Sequence, residues 1–528
     1  MKEQKYPLKT IWMISREYDG LAGAGGVKDV CRQLAEALVA EGKNVSVILP
    51  FYGFMKLEET GFRLFDSFQV DMNYVGVERR EQVQIWIRQH EDKPTIYLVD
   101  AARYQEKKSV YTYTAEDEAE DPAHVQGTGH YDYFAMNVLL QKTAIDLMLC
   151  LGEKVDLIHC HDGHTALLPA MIKENEGYRH YFRKTGLVVT IHNAGLGYHQ
   201  EVADLPFAKV VSGLPGKVLA RNLLKGSFDP FLAASSYAVL NTVSENYARE
   251  LRETDDDELT GFLGHILLSR GVTLEGVTNG ISPADFDTRE HEKLGIDAGY
   301  SVMAGDFAGK IICRQKLIQD INGKKLTHVQ QNGSLTQADD VPLLTLIGRL
   351  TAQKGVDKLI GALETLLPTD KEFQVLILGS GIREIEDGLL RLTKNSANKG
   401  RVCLLRGYDP GLANRIYAAG DFFLVPSRYE PCGLTDYIAQ LFGNLPIVHH
   451  IGGLVKVIDG KTGFTYQDHS SAALMGAMQK AIRVYRKQNG RIKEMQLQAV
   501  TTISEKYTWK KIVHRYLHLY GKALDMAG

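Results

Sequence analysis

Two cations, Arg349 and Lys354, stand five residues apart where a hydrophobic run at 342–347 gives way to a helix. A lone carboxylate, Glu430, follows the run 422–425, and a glycine pair, Gly452 and Gly453, follows the run 445–448. An arginine grips phosphate oxygens in a fork and a lysine adds a point charge. Beside a glycine pair and one carboxylate, those two cations suit a diphosphate. Taken singly, Arg349 or Lys354 is an ordinary solvated charge at a helix end. Arg406, after the run 402–405, adds a third cation at a strand end.

The first half of the chain offers a second group. The run 155–158 opens onto His159, Cys160, His161, Asp162, Gly163 and His164, and the run 187–191 opens onto His192 and Asn193. Three histidines and an aspartate could hold a metal, but they fall in a strand-to-helix turn with no further ligand cluster nearby. Contact with a sugar or phosphate fits better. A glycine-rich loop at 20–26 precedes a helix beginning at Val27, so bare amides there favour an anion. The spacing is not that of a dinucleotide fingerprint. Composition leaves a plain tight turn and a phosphate site equally open.

These residues need elements to position them. Short apolar runs at 10–14, 45–49, 82–87, 95–99, 155–158 and 187–191 predict strands in the first half. Runs at 342–347, 373–378, 402–405, 422–425 and 445–448 predict strands in the second. Helical spacing separates most of them. Strands alternating with helices through both halves predict an α/β protein with two doubly wound, mostly parallel sheets, whose ligands gather at the carboxyl ends of the strands. Ser244 is a natural helix N-cap. Residues 104–130 read as a polar surface loop, the acidic run Asp255–Glu258 as a solvated segment, and 282–310 as a connection into the second half.

The chain has 528 residues, too many for one ordinary core. Apolar residues make up 44% and charged residues 24%, and the net charge of -3 gives no reason to expect nucleic acid or an anionic membrane as partner. The N-terminus is polar, without a signal-type hydrophobic region, which predicts a cytoplasmic protein. None of the six cysteines forms a C-x-x-C pair. Cys432 alone lies near a candidate site, as a small residue in a tight turn rather than a nucleophile.

These residues resemble the bacterial glycogen synthase and starch synthase family of retaining glucosyltransferases. The resemblance runs through nearly the whole chain. It is carried by Gly25, Gly26 and Asp29, by residues 159–162, 190–193, 242–244, 279–280, 349–355 and 407–409, and by 426–435 and 452–454. The strings at 349–355 and 426–435 are specific in combination. The resemblance implies the GT-B fold, two Rossmann-like domains with an interdomain cleft. It places an N-terminal domain at 1–274, a linker at 275–287, a C-terminal domain at 288–506 and a helix at 507–528 that returns to the first domain.

It further implies transfer of glucose from a nucleotide-sugar donor, ADP-glucose by preference, to the non-reducing end of an α-1,4-glucan, with no metal and no cofactor. Arg349 and Lys354 would hold the diphosphate, Glu430 the glucosyl hydroxyls or the charge near the reacting carbon, and His161 the reacting sugar. Gly25, Gly26, Asp29, Asn279, Tyr408, Cys432, Gly433, Leu434, Thr435, Gly452 and Gly453 would line the donor site, and His192 and Asn193 would contact acceptor or sugar. The chain departs from the family at three positions: Gly23 where lysine is usual, Gly163 where tryptophan is usual, and Asp436 where glutamine is usual. Lys28, in the first turn of the next helix, is the candidate replacement for the missing lysine. A UDP-glucose enzyme, an enzyme with another acceptor and a catalytically weak glucan-binding relative are the alternatives.

Overall fold

The computed structural model describes residues 8–56, 61–407 and 409–528. The chain divides into two compact units, Met1–Gly280 with Trp509–Gly528, and Ile281–Thr508.

Among the described residues, the first unit is built on nine of its eleven strands. In chain order these are β1 (Thr10–Ile14), β2 (Asn44–Pro50), β3 (Arg63–Asp71), β4 (Arg80–Arg88), β5 (Thr95–Asp100), β6 (Leu157–His161) and β7 (Gly186–Ile191). A short hairpin of β8 (Leu223–Leu224) and β9 (Ser227–Phe228) follows, then β10 (Val239–Thr242) and β11 (Glu275–Gly276). The sheet order is β11-β10-β7-β6-β1-β2-β5-β4-β3. It is parallel except for β4, which runs antiparallel to its neighbours β3 and β5. The order reverses at β1, which pairs with β2 on one side and β6 on the other. Strands β1, β6 and β7 are buried almost throughout, as parallel strands covered on both faces must be. The helix Tyr133–Leu151 is long and apolar enough to cross a membrane, yet 78% of its apolar window is buried inside the protein, as befits a core helix. The C-terminal helix Trp509–Ala527 packs on β7 and on the helix Val27–Ala40, and Trp509 Nε1 donates to Gln33 Oε1 at 2.7 Å.

The second unit has seven strands among the described residues: β12 (Gln330–Gly333), β13 (Leu343–Ile347), β14 (Gln374–Gly379), β15 (Val402–Arg406), β16 (Phe422–Val425), β17 (Leu445–His449) and β18 (Phe464–Tyr466). Their order is β12-β15-β14-β13-β16-β17-β18, parallel except for the edge strand β12. Period-two alternation feeds two cores. Val375 and Ile377 join Leu359, Leu363, Leu474 and Met478 on one face. Leu376 and Leu378 join Leu317, Ile321 and Ile416 on the other. Here the reversal falls at β13, between β14 and β16.

Three expectations are corrected. Residues 104–130 are not simply a surface loop: helix Ala115–Glu120 carries a capping box at Thr114, and Lys107, Val110 and His130 are buried. Asp257, inside the acidic run, is fully buried. Its carboxylate accepts from Gly264 N at 3.1 Å and from His265 N at 2.9 Å, closing the start of the next helix. Residues 282–310 are not a bare connection, since Leu294, Ile296, Tyr300 and Val302 belong to a core of the second unit.

Candidate active site

In open α/β sheets ligands bind outside the carboxyl ends of the strands where the order reverses. In the second unit that place lies between β13 and β16, and the chain delivers Arg349 and Lys354 from one and Glu430 from the other. Gly355 starts the helix Val356–Thr369 from the left-handed region, φ 67°. A side chain there would meet the carbonyl of Pro426, so the two loops interlock through a residue that must be glycine. Arg428 N donates to Gln353 O at 2.8 Å across the same seam.

The chemistry concentrates on one oxygen. Lys354 Nζ lies 2.6 Å from Glu430 Oε2, and Ser427 Oγ donates to the same atom at 2.9 Å. Burial works to raise the Glu430 pKa, but Lys354 beside it, with Ser427 and Lys456, holds it below the ordinary carboxylate range. Glu430 is therefore an ionised acceptor at neutral pH. An ammonium carries three N–H donors, so Lys354 can serve Glu430 and still donate to phosphate oxygens. Arg349 is exposed, its Nη2 3.2 Å from Gln353 Oε1. Gly453 N donates to Glu430 O at 2.9 Å, bringing the glycine pair beside the carboxylate loop. Cys432 is buried, Gly433 has φ 72°, and Leu434 leads into helix Thr435–Leu441. Arg406 is drawn to Gln330 and Glu386 and takes a structural place. Tyr408 lies outside the described residues.

Sequence reasoning missed the supports of this loop. His449 has its ring nitrogens 2.8 Å from the carbonyls of Ser427 and Gln467, and His469 Nε2 lies 3.1 Å from Pro426 O. The only signal was the placement of His449 at the end of a strand next to β16.

In the first unit the reversal lies between β1 and β6. Strand β6 continues through His159 and His161, so the expected strand-to-helix turn begins only at Asp162. The two rings consequently share a side, with centroids 4.2 Å apart. His161 Nδ1 lies 2.9 Å from His192 Nε2. His161 Nε2 is buried with no partner among the described residues, as is Asn279 Oδ1. Both atoms are thus left with hydrogen-bonding capacity to spare. Burial lowers all three imidazoles: His159 and His192 to about 3, and His161 well below its usual value, helped by its two neighbours. All three are neutral at pH 7.

A buried chain of hydrogen bonds fixes the first ring. Thr190 Oγ1 donates to Asn241 Oδ1 at 2.8 Å and so accepts from His159 Nε2 at 2.7 Å. His159 Nδ1 is then an acceptor, 2.9 Å from Tyr520 OH on the C-terminal helix. Asp162 sits at φ 61°, sparsely populated for a residue with a side chain. Its Oδ1 accepts from His192 N at 2.7 Å and Asn193 N at 3.3 Å. Gly163 stands against the carbonyls of Tyr198 and His199, which leave no room for a side chain. The 194–199 segment is anchored by His199, whose Nδ1 lies 2.6 Å from Asp229 and whose Nε2 lies 2.7 Å from Ala194 O.

The glycine loop after β1 already has an internal anion. Glu17 Oε2 accepts from Ala24 N at 2.7 Å and Gly25 N at 3.1 Å. Gly26 precedes the helix that carries Asp29. Lys28 Nζ lies 2.7 Å from both Asp19 and Asp29, and its aliphatic chain passes over Gly23, where any side chain would collide with it. The Lys28 ammonium is thus held by two carboxylates beside the glycine loop.

Comparison with known proteins gives a consistent picture. A family model described as starch synthase catalytic domain matches residues 10–265, and one described as glycosyl transferases group 1 matches residues 330–496. A glycogen synthase of Geotalea daltonii is 33% identical over 96% of this chain and 94% of its own. A glycogen synthase of Exiguobacterium sibiricum is 30% identical over 97% of this chain and 98% of its own. Among solved structures, the catalytic domain of starch synthase IV from Arabidopsis thaliana, bound to ADP and acarbose, covers 98% of this chain and 99% of its own. Its TM-score is 0.80 at 24% identity.

Proposed function

The chain belongs to the glycogen and starch synthase family of GT-B glucosyltransferases, and we propose that it transfers glucose from ADP-glucose to the non-reducing end of an α-1,4-glucan with retention at the anomeric carbon. The observation that carries the proposal is the Lys354–Glu430 pair at the reversal point of the second sheet, framed by Arg349 and the Gly452–Gly453 turn. In this reading Arg349 and Lys354 hold the donor diphosphate and stabilise the charge that builds on the leaving nucleotide, a contribution that is often the largest in catalysis. Glu430, ionised and pinned, accepts hydrogen bonds from glucosyl hydroxyls. His161 offers Nε2 to the reacting sugar, while His192 and Asn193 serve sugar or acceptor. Lys28 supplies charge near the glycine loop in place of a lysine at Gly23. ADP as the nucleotide is supported by the ADP-bound starch synthase of the same fold.

The test is direct. Purified protein is incubated with glycogen and either ADP-glucose or UDP-glucose, and nucleotide release and labelled glucan are measured. ADP-glucose should be preferred by about tenfold or more in kcat/KM. Absence of transfer with both donors contradicts the proposal, and equal use of the two contradicts the assignment of ADP.

A further inference from the structure

Asp436 is fully buried, and the fold puts a specific partner against it. Lys456 Nζ lies 3.1 Å from Asp436 Oδ1, with 5% and 0% of the two side chains exposed. The same ammonium reaches the carbonyl oxygens of Gly433 at 2.6 Å and Cys432 at 2.5 Å. It also sits 4.2 Å from the centroid of the Tyr437 ring. The ammonium therefore donates to two carbonyls and has Asp436 as its ion-pair partner. Lys456 closes the short turn Gly452–Lys456 that begins with the glycine pair, and Asp436 lies in the first turn of the helix after the Glu430 loop. A side chain at Gly433 would run into Asp436 and Leu454, so the three segments are packed without slack.

A buried carboxylate without a partner is strongly destabilising, and Glu430 nearby adds repulsion. Burial pushes the Asp436 carboxyl up to about 6 even with Lys456 pulling the other way. We propose that Asp436 and Lys456 are a coupled positioning pair: the lysine neutralises the buried carboxylate, and together they fix the Cys432 and Gly433 carbonyls against the Gly452–Gly453 turn so that the donor loop keeps its shape. The inference rests on the proposed role of this loop in donor binding.

The experiment is steady-state kinetics of the full chain with ADP-glucose and glycogen for Lys456→Met, Asp436→Gln and the double variant. Lys456→Met strands the carboxylate, and donor kcat/KM should fall about 30-fold, chiefly through donor KM. Asp436→Gln should cost about fivefold, and the double variant should recover to within about tenfold of wild type, because the two changes share one interaction. Glucan KM should move less than about twofold throughout, which a general loosening of the fold would not respect. Losses that multiply independently, or equal rises in donor and glucan KM, would overturn the pair. If Lys456→Met does not yield folded protein by circular dichroism, Lys456→Arg replaces it. The planar fork cannot reproduce the three-way contact, and donor KM should rise about fivefold; an unchanged donor KM overturns the proposal. Wild-type protein that transfers nothing from any nucleotide sugar defeats the proposed function and this inference with it. Active wild type with independent variants defeats only the coupling.

Discussion

At the reversal point of the second sheet the polar groups are charged and paired: half-buried Lys354 with Glu430, and buried Lys456 with Asp436. At the reversal point of the first sheet the innermost groups are uncharged imidazoles, His159, His161 and His192, linked to one another and to Thr190, Asn241 and Tyr520 by hydrogen bonds or ring contacts. The two units share a sheet type and a place for ligands, yet the second sets ion pairs at its strand ends, while the first sets three neutral imidazoles there and keeps its charges in the separate loop of Glu17, Asp19, Lys28 and Asp29. A diphosphate needs cations held where their repulsion is offset by carboxylates. A sugar needs hydrogen-bond donors and acceptors that stay neutral in a dry wall. Under the proposed function, the charged half takes the donor diphosphate and the neutral imidazoles take the sugar.

The sharpest way to break that comparison is to remove the carboxylate of the charged half. Glu430→Ala should lower turnover about 1000-fold while the far-ultraviolet circular dichroism stays that of wild type, since the loop is also held by His449, His469 and Gly453. Near-wild-type turnover would remove Glu430 from the site. Lys28 tests whether the neutral half borrows a charge. Lys28→Ala should weaken donor kcat/KM about tenfold, and unchanged donor affinity and turnover would make Lys28 a brace for Asp19 and Asp29 alone.

Acid distinguishes the halves further. His159 and His192 have folded pKa values near 3, against about 6.5 in the unfolded chain. Between those values the unfolded chain binds more protons, so stability rises with pH across that window and is lost on acidification, by about 2 kcal/mol per histidine at pH 5. His159→Gln should lower the melting temperature at pH 7 yet lose less than wild type on going to pH 5. A pH dependence equal to that of wild type would contradict a neutral buried His159. The smallest effect belongs to the positioning hydroxyl: Tyr520→Phe should cost about 1 kcal/mol of stability and up to about threefold in kcat/KM.

Much of this was legible in the sequence because strand ends advertise themselves. Pro426 stops a sheet ladder, Gly348 and Gly355 flank the cations, and period-two apolar runs fixed which strands are buried. The remainder was hidden for identifiable reasons. A run of acidic residues carries no sign that its third member, Asp257, will cap a buried helix start. The strand β6 gains three residues, His159, Cys160 and His161, because neighbours β1 and β7 pair with this stretch, which no local pattern reveals. Lys456 and Asp436 are far apart in the chain, and only the fold shows that the unusual carboxylate has a cation. Tyr520 lies 361 residues from His159.

The division of labour is tested most directly by calorimetric binding of ADP to wild type, Lys354→Ala and His161→Ala. Lys354→Ala should weaken ADP binding about 100-fold, while His161→Ala should bind ADP as wild type does and lose only transfer. Equal weakening by the two variants, or wild-type ADP affinity in Lys354→Ala, would contradict the account.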